Sequence, residues 1–302
     1  MGGTLEIRQL ITFRAVARFL SFNRAAEELN YAQSSVSAQI QALEEELGVQ
    51  LFDRLGRRIL LTEAGVKLLQ YAEKMLDLAE ETRSEVVGSK DLRGSLTVKV
   101  PETIGVHRLP PVIKRFRSSF PKVRLRFTSC SHEGLQKDLR TGITDLAFLL
   151  SDSINAADLS AEPMGMEPLL LVAHPEHRLA AQQAVHGRDL QGETILFSNM
   201  DCSYRRSLES VLVHEKIAHD TMEFNSVAAL KQCVMKGVGI TILPEITAAE
   251  DISQGRLAAL SWADEKLEVA TLMIWYRNRW LSPTLNAFMQ VAREILNDVY
   301  QD

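Results

Sequence analysis

The chain has 302 residues, 46% of them hydrophobic and 24% charged, with a net charge of −5. That length suits two or three domains, each with its own core. No apolar run approaches the ~18 residues of a membrane span, the polar amino end reads as free of a signal peptide, and the negative charge argues against indiscriminate coating of nucleic acid. Cys130, Cys202 and Cys233 are widely separated with no metal-like spacing, so neither a disulfide framework nor a metal is expected, and the cytoplasm is the expected compartment.

Residues 23–47 read as two short helices broken at Asn30–Tyr31. In the second, Val36, Ile40, Leu43 and Leu47 follow a 4-3-4 spacing that puts them on one stripe, to be buried against the first helix. The opposite face opens with Gln33, Ser34, Ser35, Ser37 and Gln39. Uncharged amides and hydroxyls at a helix N-terminus suit a major groove. Gln pairs bidentately with adenine, Ser bonds bases or phosphate, and the free N–H groups attract phosphate. A surface helix pair in any α-rich protein would show the same apolar stripe.

Gly48 is placed to end the helix in a left-handed cap. Residues 51–62 then read as a hairpin with Gly56 at its tip, and Arg54, Arg57 and Arg58 cluster there as a wing over a phosphate backbone would require. Thr62 suits the N-cap of the next helix. In residues 1–62, Arg8, Arg14, Arg18, Arg24, Arg54, Arg57 and Arg58 balance Glu6, Glu27, Glu28, Glu44, Glu45, Glu46 and Asp53. With no net charge, DNA binding must rest on a few well-placed phosphate contacts from two or more copies.

Together these residues closely resemble the LysR-type transcriptional regulators. The signature is carried by Phe13, Ala17, Ser21, Phe22, Ala25, Ala26, Leu29, Gln33, Val36, Ser37, Ile40, Leu43, Glu44, Leu47, Gly48, Leu51, Phe52, Arg54, Leu61, Thr62 and Gly65. The rest of the chain resembles that family more loosely.

Residues 63–87 form a long helical stretch in which Leu69, Ala72, Leu76, Ala79 and Val86 follow a coiled-coil-like rhythm broken at Arg83. Dimerisation through Leu69, Ala72, Leu76 and Ala79 is expected, the alternative being a helix packed on its own domain. Residues 88–94 read as a glycine-bounded hinge. From Ser95 strands and helices alternate. Strands are expected at 96–100, 123–127 and 146–150, with helices at 101–120 and 135–140, a βαβαβ order implying a parallel sheet covered on both faces. A second unit follows, with strands at 169–173, 194–197, 222–224 and 240–243 and helices at 204–213 and 227–236. A strand at 269–275 and a helix at 283–299 remain, and in the resembled family they return to complete the first unit.

The resemblance implies an α/β fold class: a winged helix-turn-helix at 1–62, a dimerising linker helix at 63–88, and a two-lobed periplasmic-binding-protein-like effector domain at 89–302. Lobe I takes about 95–162 and 268–302, and lobe II about 163–267. Ligands of two α/β lobes bind at the C-terminal ends of the strands. Those ends fall at Pro101, Glu102, Thr103, Ser129, Cys130 and Ser131 in the first lobe. In the second they fall at Ser198, Asn199, Cys202, Asn225, Ser226 and Val227. The resembled family binds effectors at these places, and the hydroxyls and amides here suit a small polar or anionic molecule. Glu102 departs from the small polar residue usual there, and its carboxylate would repel an anion unless neutralised. Arg205, with Arg206, opens the next helix and is a candidate carboxylate clamp.

Redox sensing through Cys130 and Cys202, one at each expected cleft edge, is the rival mode of regulation. Cys233, among Leu230, Val234 and Met235, reads as core. An enzyme is the remote alternative. His174 and His177 form an H-x-x-H on an expected turn with no third ligand, and Gly237-Val238-Gly239 precedes a strand, the wrong order for a dinucleotide loop. The expected protein is therefore a homodimer or homotetramer without cofactor or metal. Arg24, Gln33, Ser34, Ser35, Ser37, Gln39, Arg54, Arg57 and Arg58 face a double-stranded operator, and a small effector and RNA polymerase are further partners.

Overall fold

The computed structural model describes residues 5–55, 58–86, 92–130, 134–151, 156–198, 202–264 and 266–301. They divide into two compact units: residues 1–95 with 122–124, and residues 96–121 with 125–302.

Unit 1 begins with α1 (Ile7–Phe19), α2 (Phe22–Leu29) and α3 (Gln33–Leu47), followed by a hairpin of β1 (Phe52–Leu55) and β2 (Arg58–Leu61) and the long α4 (Glu63–Val86). Leu10, Phe13, Val16, Ala25, Val36, Ile40 and Leu43 are all fully buried in one cluster. The Phe52 ring, brought in by β1, lies 5.4 Å from that of Phe13 and 6.0 Å from that of Phe22. The break between α2 and α3 is set by Asn30 in the left-handed region at φ 55°, and α3 ends at Gly48 with φ 67°. Thr62 caps α4 as expected, its hydroxyl accepting the Gly65 N–H at 3.0 Å.

Gly65 admits no side chain, because a Cβ there would stand 2.1 Å from the Leu51 carbonyl oxygen. This close approach locks the start of α4 onto the strand entering the wing.

The expected dimerisation stripe needs correction. Ala72 is fully buried and Leu76 nearly so, both within the unit's own core, and Leu69 is partly buried against the same cluster. The amphipathic face read from the sequence is real, but it packs on α1 and is not available to a second chain. Ala79 is half-buried. The exposed apolar residues of α4 are Val66, Tyr71, Met75, Leu78 and Val86, a different face.

Unit 2 opens with β3 (Gly94–Val100), whose first two residues belong to unit 1, and runs through α5 (Glu102–His107), α6 (Leu109–Ser119), β4 (Val123–Ser129), α7 (Leu135–Arg140) and β5 (Leu146–Leu150). Then come β6 (Leu159–Ala173), two short 3₁₀ turns, β7 (Thr194–Ser198), α8 (Cys202–His214), β8 (Asp220–Phe224) and α9 (Val227–Met235). The chain closes with β9 (Thr241–Pro244), α10 (Glu245–Ser253), β10 (Ala258–Ala259), β11 (Glu268–Tyr276) and α11 (Pro283–Gln301). The main sheet runs β10-β6-β11-β5-β3-β4, with β9 also on β6, while β7 and β8 pair in parallel. All five residues of β5 are buried, as its unbroken apolar run requires.

The expectation of a parallel sheet holds for β3 with β5, but β11 is antiparallel to both β5 and β6, so the sheet is mixed. The expected helix at 101–120 is two helices. Pro110 and Pro111 sit at the start of α6, where a missing N–H costs nothing but the ring prevents α5 from running on. The expected strand at 169–173 is the second half of a longer one. Residues 159–168 pair with β11 across a bulge at Thr271/Leu272, and Leu169–Val172 pair with β9. Two prolines and a glycine hide that first half from local propensity, and only the partner strand reveals it. One strand thus belongs in turn to two α/β halves.

Replacing Gly65 with Ala is expected to destabilise unit 1 by about 1–3 kcal/mol through overpacking against backbone, seen as a lower thermal midpoint; an unchanged midpoint would show that the Leu51–Gly65 approach is slack.

Candidate nucleic-acid interface and effector cleft

The leading end of α3 is polar and outward. Gln33, Ser34 and Ser35 are exposed and Ser37 half-exposed, while Val36, Ile40 and Leu43 behind them are fully buried. No side chain caps α3, whereas α2 and α4 start under the hydroxyls of Ser21 and Thr62. The Ser35 N–H turns back onto the Ala32 carbonyl at 3.0 Å, which leaves the amides of Gln33 and Ser34 for an outside acceptor. Gln39 is different. It is half-buried and its amide oxygen accepts the hydroxyl of the buried Thr12 at 2.7 Å, tying α3 to α1. That bond removes Gln39 from the residues able to offer a whole amide edge to adenine. Arg24 is exposed at the start of α2, its guanidinium stacked 5.0 Å from the Phe19 ring centroid. Arg57 lies outside the described residues, as do the side chains of Arg54 and Arg58.

Glu44, counted above among the acidic residues that balance the arginines of residues 1–62, is 6% exposed. Its Oε1 accepts the N–H groups of Leu51 at 2.7 Å and Phe52 at 3.3 Å. A carboxylate of α3 thus holds the first strand of the hairpin. Its task is positioning the hairpin, and the sequence reading missed it because a Glu among three looks like solvated charge.

In unit 2 the strand ends of the two halves meet. Pro101 and Thr103 are buried at the end of β3, and Glu102 between them extends to the start of α9. There its two carboxylate oxygens accept the N–H groups of Val227 at 3.1 Å and Ala228 at 3.3 Å. Ser226 caps the same helix, accepting the Ala229 N–H at 3.4 Å. Val227 and Ser198 are buried, and Asn225 and Ser129 are exposed. Ser131 and Asn199 lie outside the described residues, as does the Cys202 side chain.

Two expectations for the cleft are overturned. Cys130 is 2% exposed and packs with Leu135, Leu139, Ala147 and Ile274, because the chain turns its thiol into the apolar layer under the sheet. It does not face the cleft. Arg205 is committed within its own half, bonding Glu209 at 2.5 Å and Glu223 at 2.7 Å, with its guanidinium 4.6 Å from the Phe197 ring centroid. A carboxylate clamp it is, but for the chain's own carboxylates. Cys233 is partly buried against the α9 cluster, in line with the core reading. His177 accepts the Leu179 N–H and pairs with Glu193 at 3.1 Å, so the H-x-x-H is a capped turn.

Where β6 passes from one half to the other, Glu167 is fully buried. Arg108, the residue between α5 and α6, bonds it twice, at 2.7 and 2.9 Å, and the Tyr300 hydroxyl donates to it at 2.5 Å. Burial, then the adjoining carboxylate, push the Tyr300 phenol well above the ordinary tyrosine range. Gly165 makes room for the ring, since a Cβ there would lie 2.1 Å from it. No local signal in the sequence marks Glu167, Arg108 and Tyr300 as partners.

Residues 89–297 match the LysR substrate binding domain, and residues 7–66 match the helix-turn-helix of bacterial regulatory proteins of the lysR family. The chain belongs to the LysR family. Among its curated relatives, the uncharacterized HTH-type transcriptional regulator YwqM of Bacillus subtilis is 40% identical over 96% of this chain and 99% of its own. The RuBisCO operon transcriptional regulator of Allochromatium vinosum is 30% identical over 95% of each. Full-length CbnR, solved with its target DNA, aligns over 96% of this chain and 99% of its own at 25% identity and a TM-score of 0.70. A full-length OxyR variant from Pseudomonas aeruginosa shares the fold, with a TM-score of 0.67 at 23% identity over 97% of this chain and 95% of its own.

This LysR-family member is accordingly a DNA-binding transcriptional regulator with an effector-binding domain. The mixed α/β architecture of its second unit is that of the effector domain, and the resemblance read from residues 13–65 points to the same family as the whole-chain comparison.

Removing Arg108 leaves the Glu167 carboxylate buried without its main partner, so Arg108→Ala should cost about 3–5 kcal/mol. Denaturant unfolding of the full chain measures this, and a loss below about 1 kcal/mol would mean that the pair is no stronger than a surface contact.

Proposed function

We propose that the protein acts in the cytoplasm as a homo-oligomer, a tetramer built from dimers, in which each winged helix-turn-helix reads half of an interrupted palindrome. The helix-turn-helix is assigned to 1–62, the linker to 63–88 and the effector domain to 89–302. One observation carries the DNA reading: the hydroxyl- and amide-rich tip of α3 stands exposed over an underside in which Val36, Ile40 and Leu43 are fully buried. Gln33, Ser34, Ser35 and Ser37 read base edges and nearby phosphates, with Arg24 and the wing arginines Arg54, Arg57 and Arg58 on the backbone. The expected test is Ser37→Glu, which should abolish specific operator binding in a footprint while leaving the thermal midpoint unchanged. Normal binding by that variant would mean that another surface meets DNA.

Dimerisation is assigned to the outer face of α4. Tyr71, Met75 and Leu78 are 39%, 42% and 51% exposed at 4-3 spacing, and Val86, eight residues beyond Leu78 on the same helix, is 81% exposed. Exposed apolar residues at that rhythm along a 24-residue helix suit the same helix of a second copy. Met75→Glu combined with Leu78→Glu is expected to yield monomers in sedimentation velocity; an oligomer that persists would locate the interface elsewhere.

In the effector domain the ligand is a small polar molecule held where Thr103, Ser198 and the turn at Asn225–Ser226 converge from the strand ends. Differential affinity for the open and closed arrangements of the two halves then alters subunit packing on DNA, and with it contact with RNA polymerase. A thermal-shift screen of metabolites on the full chain, followed by footprinting with any stabilising compound, tests this sequence of events.

A further inference from the structure

The short helix α5 is held at both ends. At its far end Arg108 is fastened to Glu167 on the strand that both halves share. At its near end Glu102 belongs to the first half, yet its carboxylate accepts the first two N–H groups of α9 in the second. Ser226 takes the third. The leading amide donors of a nine-residue helix are thus already satisfied, two of them by a tethered negative charge that the helix dipole favours. An independent link lies one residue on. Thr103, 1% exposed, accepts the hydroxyl of the buried Thr247 of α10 at 3.4 Å, again across the two halves.

We propose that Glu102 is a clasp that closes the effector cleft without a ligand, its carboxylate filling the place at α9 from which an acidic effector group would otherwise draw closing energy. A tethered group competes at a high effective concentration and loses little freedom on docking. A ligand shifts the equilibrium only by its differential affinity for the two arrangements. A free carboxylate therefore gains almost nothing at α9 unless Glu102 first lets go. The resting domain is the clasped one, simple monoanions are rejected, and an effector acts by prising Glu102 from α9. The neutralisation that an anionic cleft would demand of Glu102 is supplied by the α9 amides themselves.

The clasp shares its location with the effector cleft proposed above, but its test needs neither effector nor DNA, so the two can fail separately. Amide hydrogen exchange is measured on the full chain for wild type, Glu102→Ala and Glu102→Gln, with and without sodium formate, against sodium chloride at equal ionic strength. In Glu102→Ala the Val227 and Ala228 amides should exchange roughly tenfold faster than in wild type, formate should slow them again, and wild type should ignore formate. The near-isosteric Glu102→Gln, which keeps an acceptor without the charge, should fall between and stands in should the alanine variant not fold. Unchanged exchange in the variants, or slowing by formate in wild type and variant alike, would overturn the clasp.

Discussion

A helix of fifteen residues can bury one face only, and in α3 that face packs into the core of unit 1, with Leu47 at its end partly buried. Val36, Ile40 and Leu43 are sealed from solvent, Glu44 at the end of the same stripe holds the backbone of β1, and the Gln39 amide is tied to Thr12. The polar tip is outward because nothing else can be. Its rotation about the helix axis is set by these anchors and not by the tip residues, so Gln33, Ser34 and Ser35 carry no packing role that would fix their identity. Rigidity of this kind matters for a domain without net charge. With little long-range attraction to the duplex, discrimination rests on presenting several weak contacts in one fixed register.

The effector domain is held together differently. Its two halves share β6, and the point of transfer is guarded by a buried carboxylate rather than by apolar packing. A buried Glu167 is tolerable only while Arg108 and Tyr300 satisfy it, which makes this junction intolerant of partial disruption. The same Arg108 terminates the helix that carries Glu102 and Thr103 to the other half. The contact of Glu102 with α9 is thereby connected, through six residues of helix, to the strand that the two halves share.

Periodicity and caps in the amino-terminal third were legible because they are local. A 4-3-4 stripe, Gly48 and Thr62 each act within a few residues, and each behaves in the fold as its chemistry dictates. The α4 stripe shows the limit of the same reasoning. Its rhythm identifies a buried face, but the partner burying it is α1 of the same chain, and only the packing distinguishes this from a second subunit. In the effector domain Cys130 and Arg205 occupied the expected positions in sequence, yet their side chains turn into the core and onto Glu209 and Glu223. Position at a strand end does not fix side-chain direction.

The sequence by itself determined the family, the winged helix-turn-helix, the outward polar tip of α3 and the alternating α/β texture that follows. All of these follow from short-range spacing of apolar and capping residues. The tertiary structure alone decided the antiparallel return of β11, the extension of β6 through two prolines, the burial of Cys130, and the meetings of Glu102 with α9 and of Arg108 with Glu167. Those pairs are 125 or 126 and 59 residues apart, and hydrogen bonds over such distances leave no periodic trace in the chain. They exist because closing the fold brings groups together whose unmet charge or unmet N–H would otherwise be costly to bury.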